Sequence, residues 1–415
     1  MEISDLPAKR NSQSAEGLRR GWVVLLVAAA TLTAAQLACG GAGEVIDELS
    51  VLESVQGDWI EVRFTQPNLS GQENHQPCSL ARDLALAIDQ AQEAVDLAAY
   101  NLDLTSVSAS LVAAHERGVR VRVVTESQNA PAKAPILADL RQAGIRVVED
   151  EREAGLMHDK FVIIDGGWTW TGSWNMTESG THRNNNNAVA IRSPSLAENY
   201  TVEFEEMMAG QFGPDSPRNT PHPRLVMSIE ADGERERQAE IETYFAPEDA
   251  VADEIIDQIG AAEERIRFLA FVFTSDEIAD AMLERAETGV VVQGVMESRN
   301  TGGRYDQYPR LKRAVHDVLL DGNPYIMHHK VIIIDDETVI LGSYNFSHSA
   351  ESVNDENVLI IHDPVVAGQF VEEFGRVYEQ ARNRDAALDV GHSALDSCGR
   401  DIVDRSQLGL PKCVR

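Results

Sequence analysis

Two rhythms of apolar and polar residues take turns along this chain. Trp59 to Phe64 reads as a strand, and a polar loop follows to about Pro77. Leu80 to Ala91 carries apolar residues at helical spacing, and Val95 to Tyr100 is a continuous apolar run expected of a buried strand. A helix is predicted over Ser106 to Arg117, stopped by Gly118, which takes the left-handed conformation at the cap. Val119 to Val124 is the next strand. Ile136 to Gln142 with Gly144 repeats the helix–glycine pattern, and Ile145 to Val148 repeats the strand. Strand–helix alternation of this kind builds an α/β sheet. The second half repeats the programme. IRFLAFVFT at 266–274 matches VDLAAYNLD at 95–103, Gly289 with VVVQGVMES matches Gly118 with VRVRVVTES, and Glu126 and Glu297 end equivalent strands. The pattern is that of an internal duplication.

Each half then closes in a hairpin. HDKFVIIDGGWTWTGSWN spans His158–Asn175 and HHKVIIIDDETVILGSYN spans His328–Asn345, 170 residues further on (328 − 158). His, Lys, Asp, Gly, Ser and Asn recur at identical spacing, which a lone His-x-Lys would not. Phe161–Ile164 and Val331–Ile334 read as buried strands, so His and Lys, two apart, share a face. Folding about 166–167 and 336–337 places Lys160 opposite Ser173, His158 opposite Asn175, Lys330 opposite Ser343 and His328 opposite Asn345. Each copy thereby gathers an imidazole, an ammonium, a hydroxyl and a carboxamide, a cradle for phosphate with a nucleophile in it. Asp165 and Asp335 sit at the turns, where aspartate bonds backbone amides, and are read as organisers of the hairpins. Gly172 and Gly342 are expected to allow close backbone approach beside the phosphate. Trp168, Trp170 and Trp174 read as core, or, if exposed, as an anchor in a lipid interface.

At these motifs the chain resembles the phospholipase D superfamily, whose signature is a paired His-Lys-Asp motif, over roughly residues 60–380. The tail of the second copy, GSYNFSHSAESVNDENVLIIHDP, is similar to compact bacterial phosphodiesterase nucleases and cardiolipin hydrolases. The resemblance implies two similar α/β domains, each a mixed β-sheet flanked by helices, related by a pseudo-twofold axis with one active site at their interface. It implies phosphodiester cleavage without metal or cofactor, in which one histidine attacks phosphorus to give a phosphohistidine and the other protonates the leaving oxygen. Lys160, Lys330, Asn175 and Asn345 would bind the non-bridging oxygens. The family also has a carboxylate eleven residues after each asparagine, orienting the histidine of the opposite half. Here Glu356 fills that position in the second half, but Asn186 stands in the first. An amide can fix a tautomer but cannot stabilise an imidazolium. The asymmetry favours His158, opposite Glu356, as nucleophile and His328, opposite Asn186, as acid and then base.

Composition narrows the setting. The 36 basic and 67 acidic residues give a formal charge of −31, which disfavours a protein that coats nucleic acid or strongly anionic membrane. Lys9, Arg10, Arg19 and Arg20 precede an apolar run from Trp22 to Ala38 and then Cys39-Gly40-Gly41, as in an export signal of lipoprotein type, with plain secretion or an uncleaved anchor as alternatives. Cys398 and Cys413 could close a loop, leaving Cys78 odd; three free thiols fit equally, and the spacing resembles no zinc site. The expected organisation is an export segment at 1–41, a tether at 42–57, domains at 58–212 and 241–383, a linker at 213–240 and a tail at 384–415. The expected protein is an exported monomer that meets the membrane through its N-terminal anchor. A phospholipid head-group hydrolase, an extracellular nuclease acting on DNA or RNA, and a phosphatidyl transferase of cardiolipin synthase type all use such a motif. Intact motifs on both sides disfavour an inert interaction module.

Overall fold

The computed structural model describes residues 50–56, 58–67, 79–128, 130–230 and 237–397. The export segment, Cys39, Cys78, Cys398 and Cys413 lie outside the described residues. The first half contributes β2 (Ile60–Phe64), β3 (Ala94–Ala99), β4 (Arg120–Glu126), β5 (Arg146–Asp150), β6 (Lys160–Ile164), β7 (Trp168–Gly172) and β8 (Asn187–Arg192), after β1 (Val51–Gln56). The second half contributes β9 (Arg224–Glu230), β10 (Arg237–Ala246), β11 (Arg265–Ala270), β12 (Val291–Met296), β13 (Val318–Leu320), β14 (Lys330–Ile334), β15 (Thr338–Gly342) and β16 (Glu356–His362).

The strands form two sheets whose order repeats, β2-β8-β7-β6-β3-β4-β5 in one and β10-β16-β15-β14-β11-β12-β13 in the other, with β9 and β1 added beyond β10. In each sheet three strands run parallel, β3-β4-β5 and β11-β12-β13. Parallel neighbours need crossovers. Helices Thr105–Glu116 and Ala130–Gln142 supply them in the first sheet, Asp276–Glu287 and Tyr308–Val315 in the second. The remaining four strands of each repeat are antiparallel. The expected architecture of two mixed sheets flanked by helices is therefore present. One apolar cluster packs helices against an outer face of each sheet, and a third lies between the sheets. That middle cluster contains Leu196, Tyr200 and Phe204 from the helix Pro194–Met208, and Phe370 and Phe374 from the helix Pro364–Ser397.

Three expectations need correction. The segment read as a tether holds β1, which runs parallel to β9, and the segment read as a linker holds β9 and the start of β10. Leu225, Met227 and Ile229 alternate into the core, while the charged residues at the two ends of β9, Arg224 and Glu230, face out. The long helix Pro364–Ser397 also runs into the segment read as a tail.

The hairpins are shifted by one residue from the register that a two-residue turn would give. Ile164 pairs with Trp168, so three residues form the loop and Lys160 registers with Gly172, not Ser173. The second copy is identical, with Ile334 on Thr338. Asp165 (φ 52°) and Asp335 (φ 52°) take left-handed backbone at the start of each loop. Ser173 and Ser343 consequently fall just beyond the strands.

Candidate active site

Each motif histidine is fixed first by its backbone. His158 N donates to Asp355 O at 3.0 Å and His328 N to Asn185 O at 2.9 Å, so each sits on the segment that leads into the last strand of the other half. The return bonds, Asp355 N to Leu156 O and Asn185 N to Ile326 O, are both 2.9 Å. Glu126 and Glu297 hold the preceding residues, accepting from Met157 N (2.9 Å) and Met327 N (2.7 Å). These two carboxylates close the strands β4 and β12; their equivalence was legible in the sequence, their task was not.

The same crossing brings each imidazole to a partner from the opposite half. His158 Nδ1 lies 2.6 Å from Glu356 Oε2. Glu356 is wholly buried and also accepts from Ser343 Oγ (2.7 Å) and Asn354 Nδ2 (3.1 Å). His328 Nδ1 lies 2.9 Å from Asn186 Oδ1 and 3.0 Å from Ser173 O. Both are acceptors, so Nδ1 of His328 carries the proton and Nε2 the lone pair. Ser173 Oγ donates to Asn186 Oδ1 at 3.1 Å. Each serine therefore serves the histidine of the other half, where the sequence count had placed it with its own. Gly172 (φ 148°) and Gly342 (φ 154°) allow a close approach, but to the adjoining strand. A Cβ would meet Asn187 O at 2.5 Å and Asn357 O at 2.1 Å.

The lysines join their own histidines. Lys330 Nζ donates to His328 O (2.9 Å) and lies 3.3 Å from His328 Nε2; Lys160 Nζ donates to His158 O. Tyr100 stacks edge-on to His158 (4.7 Å) with Lys160 Nζ over its ring, and Phe271 lies 4.5 Å from His328 with Lys330 Nζ over its ring. Burial, then Lys160 and Lys330, hold His158 well below the ordinary imidazole range. Burial, then Lys330, Lys160 and His158, do the same to His328. Burial and Lys160 pull Lys330 down as well, against the opposing pull of Glu356. Burial pushes Glu356 up to about 7 while Lys160, Ser343 and Asn354 oppose it. Charges of both halves are thus felt at one place. With cations crowded there and out of water, the site favours an entering anion.

Other predicted residues stand apart. Asp165 accepts from Gln92 N (2.9 Å), Glu93 N (2.7 Å) and Ala94 N (3.0 Å), and Asp335 from Glu263 N, Glu264 N and Arg265 N (2.7, 2.8 and 2.7 Å). Although partial burial opposes it, these amides hold both carboxyls below their usual range. They are fasteners of the loop and lie at the far ends of β6 and β14 from the histidines. Asn175 and Asn345 follow the strand ends, each with a buried side-chain oxygen that has no protein partner. Trp170 and Trp174 are buried and Trp168 packs on the same cluster, which fits core packing and not a lipid anchor. A further ring of polar residues was not foreseen from the sequence. Asn357 donates to Asp159 and accepts from Thr171 (2.6 Å) and Tyr200 (3.1 Å); Asn187 meets His329 Nδ1 at 2.9 Å. The signal was present, since Asp159 and His329 occupy the middle of the two His-x-Lys motifs, but the residue types differ.

A family model described as "Cardiolipin synthase, PLD-like domain" matches residues 84–208 and 255–378, more than half of the chain and one stretch per half. The chain belongs to the phospholipase D superfamily. A curated phospholipase D of Rickettsia bellii is 33% identical over 146 residues, covering 35% of this chain and 72% of that protein. A mitochondrial cardiolipin hydrolase of Chlamydomonas reinhardtii is 31% identical over 134 residues, covering 32% of this chain and 59% of its own length. The solved phosphatidylserine synthase of Haemophilus influenzae shares the fold over 76% of this chain and 86% of its own, with a TM-score of 0.54 at 11% identity. With this membership and both motifs intact, this phospholipase D superfamily protein is a phosphodiester hydrolase.

Proposed function

We propose that the protein hydrolyses phospholipid head groups without a metal, through a phosphohistidine on His158. The carrying observation is the unequal backing of the two imidazoles: a buried carboxylate on His158 Nδ1, and only an amide and a backbone carbonyl on His328 Nδ1. In this reading His158 Nε2 attacks phosphorus. The bond to the head-group oxygen breaks as His328 Nε2–H gives that oxygen its proton. Glu356 stabilises the imidazole ring of His158, which becomes cationic on phosphorylation. Lys160 and Lys330, with Asn175 and Asn345, receive the non-bridging oxygens, so positive charge at the phosphate comes from side chains. His328 then takes a proton from water, the hydroxide attacks phosphorus, and the His158 N–P bond breaks to release the phosphatidate. The negative charge of the bound diester raises both imidazoles from their depressed values, and so allows His328 to carry the proton it must donate.

Phospholipid is favoured by the curated relatives named for lipid hydrolysis and by the net charge of −31, which opposes long-range capture of polynucleotides. The N-terminal sequence supports an exported, lipid-anchored protein. The deciding assay sets purified protein in chelator against phospholipid vesicles and against single-stranded DNA. Head-group release with DNA left intact is the expected result. Cleavage of DNA alone would replace this reading with a nuclease, and complete loss in chelator, restored by one particular metal, would overturn the metal-free mechanism. A lipid acceptor alcohol added to the vesicles reports transfer in place of hydrolysis.

A further inference from the structure

The duplication is uneven at the rim as well as at the histidines, and the unevenness is one of charge. Arg183 is exposed three residues before Asn186, with its guanidinium over the ring of Tyr325 at 5.4 Å, and Tyr325 lies three residues before His328. Asn323 Nδ2 donates to Arg183 O at 3.0 Å, joining those two loops. Arg299, also exposed, donates to Pro324 O at 2.5 Å, and its neighbour Asn300 donates to O of Phe271 at 2.8 Å, the residue whose ring packs on His328. Arg304 follows on the same loop beside the exposed ring of Tyr305.

Two of the three arginines have no charged counterpart in the repeat, whereas Arg304 falls opposite Lys133 (171 residues apart). Val353 stands for Arg183 and Gly155 for Tyr325 (170 residues apart), and Gln128 for Arg299 (171 apart, as Glu126 is from Glu297). The arginine on the His158 side, Arg152, is bound to Asp150 and Asp355. Among the described residues Arg183 and Arg304 form no ion pair, and Arg299 forms no salt bridge although its charge is felt by the buried Glu297, in a chain with 67 acidic residues against 36 basic ones. Exposed cations act on a ligand only at short range, about 8 Å at physiological salt. Guanidinium groups suit phosphate and carboxylate through paired N–H donors.

We infer that Arg183, Arg299 and Arg304 form a subsite for an anionic group on the leaving alcohol, so that the preferred substrates are phosphodiesters whose departing head group carries a second negative charge. This rests on the reading of His328 as the acid, because the acid stands beside the leaving oxygen, and Arg183 and Arg299 contact Tyr325 and Pro324 on the segment that leads to His328, with Arg304 on the loop that continues from Arg299. A choline head group, which is cationic, would be disfavoured at the same place.

The test uses the purified full chain and three dioctanoyl phosphatidyl esters in detergent micelles, differing only in their alcohol: glycerol 3-phosphate, glycerol and choline. Wild type is expected to favour the glycerol 3-phosphate ester over the choline ester by about tenfold or more in kcat/KM, as three charge-assisted contacts at a solvated rim would give. R183Q/R299Q/R304Q is expected to lose that preference, mainly through KM for the anionic ester. The charge reversal R299E/R304E should turn it toward choline, a gain that a merely unfolded loop cannot produce. Equal kcat/KM for the three esters in wild type, or a preference that survives the triple substitution, overturns the inference. If no lipid is cleaved but bis(4-nitrophenyl) phosphate is, the lipid reading fails, and the subsite is judged by inhibition of that reaction with glycerol 3-phosphate. A Ki raised about tenfold in the triple variant would uphold the subsite, and an unchanged Ki would overturn it.

Discussion

Glu356→Gln changes one buried atom, and the surrounding donors decide how the site responds. Glu356 Oε1 accepts from Asn354 Nδ2 at 3.1 Å, while Oε2 accepts from Ser343 Oγ at 2.7 Å and holds His158 Nδ1 at 2.6 Å. A glutamine has one oxygen for these two places. If the oxygen faces His158, its NH2 meets the NH2 of Asn354, donor against donor, in a wholly buried setting. If the amide turns over, Asn354 is satisfied and Ser343 can rotate to accept, but the NH2 then points at His158 Nδ1. The imidazole must shift its proton to Nε2, the nitrogen needed for attack. Loss of the charged bond alone costs about 1.5–3 kcal/mol, roughly 10- to 150-fold in rate. The wrong tautomer adds to this, so the expected fall in kcat/KM is about 10³- to 10⁴-fold, the scale seen when a triad carboxylate becomes an amide. Removing the carboxylate also lowers the His158 pKa, already depressed by burial and the two lysines, so the acid limb of kcat/KM moves to lower pH. The double variant N354A/E356Q removes the opposing donor and should recover at least tenfold over E356Q. Activity of E356Q within about threefold of wild type, or no recovery in the double variant, would refute the reasoning.

The other predictions are briefer. His158→Ala and His328→Ala should each remove nearly all turnover, and the double variant should be hardly worse, as for groups acting as a unit; two half-active single variants would mean independent sites. Asn186→Asp puts a carboxylate on His328, whose pKa is held down by burial, Lys330, Lys160 and His158. A raised pKa keeps the acid protonated to higher pH, so the alkaline limb of the pH–rate profile moves upward, and a downward move contradicts the role. Asp335→Ala loses three amide contacts and places alanine at φ 52°, so denaturant titration should show about 2–3 kcal/mol less stability, with kcat/KM of the folded protein nearly kept.

Much of this was legible in the chain because both levels of pattern agree. The apolar runs Phe161–Ile164 and Val331–Ile334 are wholly buried strands, and the glycines after the predicted helices stop them as expected. The pairing of His158 with Glu356, and of His328 with Asn186, was implied by the resemblance to the phospholipase D superfamily, and the contacts are present. Register was not legible. An Asp-Gly-Gly turn suits a two-residue loop by composition, and only the contacts of Asp165 to Gln92, Glu93 and Ala94 fix a three-residue one. That single-residue shift moved both serines to the opposite histidine. β1 and β9 were hidden because they satisfy one another across some 170 residues, a pairing that no local pattern reveals. The Asp159–Asn357 and His329–Asn187 contacts were hidden because the duplication had diverged at those places while keeping the contact.

The central claim is that the two histidines divide the work, with the covalent step on His158. Rapid acid quench of the wild-type protein turning over a phospholipid, followed by peptide mapping with mass spectrometry, tests it directly. The account predicts a phosphatidyl adduct on the peptide containing His158, still formed in H328A when the substrate has a leaving group that needs no proton, and absent in H158A. An adduct on His328 of the wild type would contradict it.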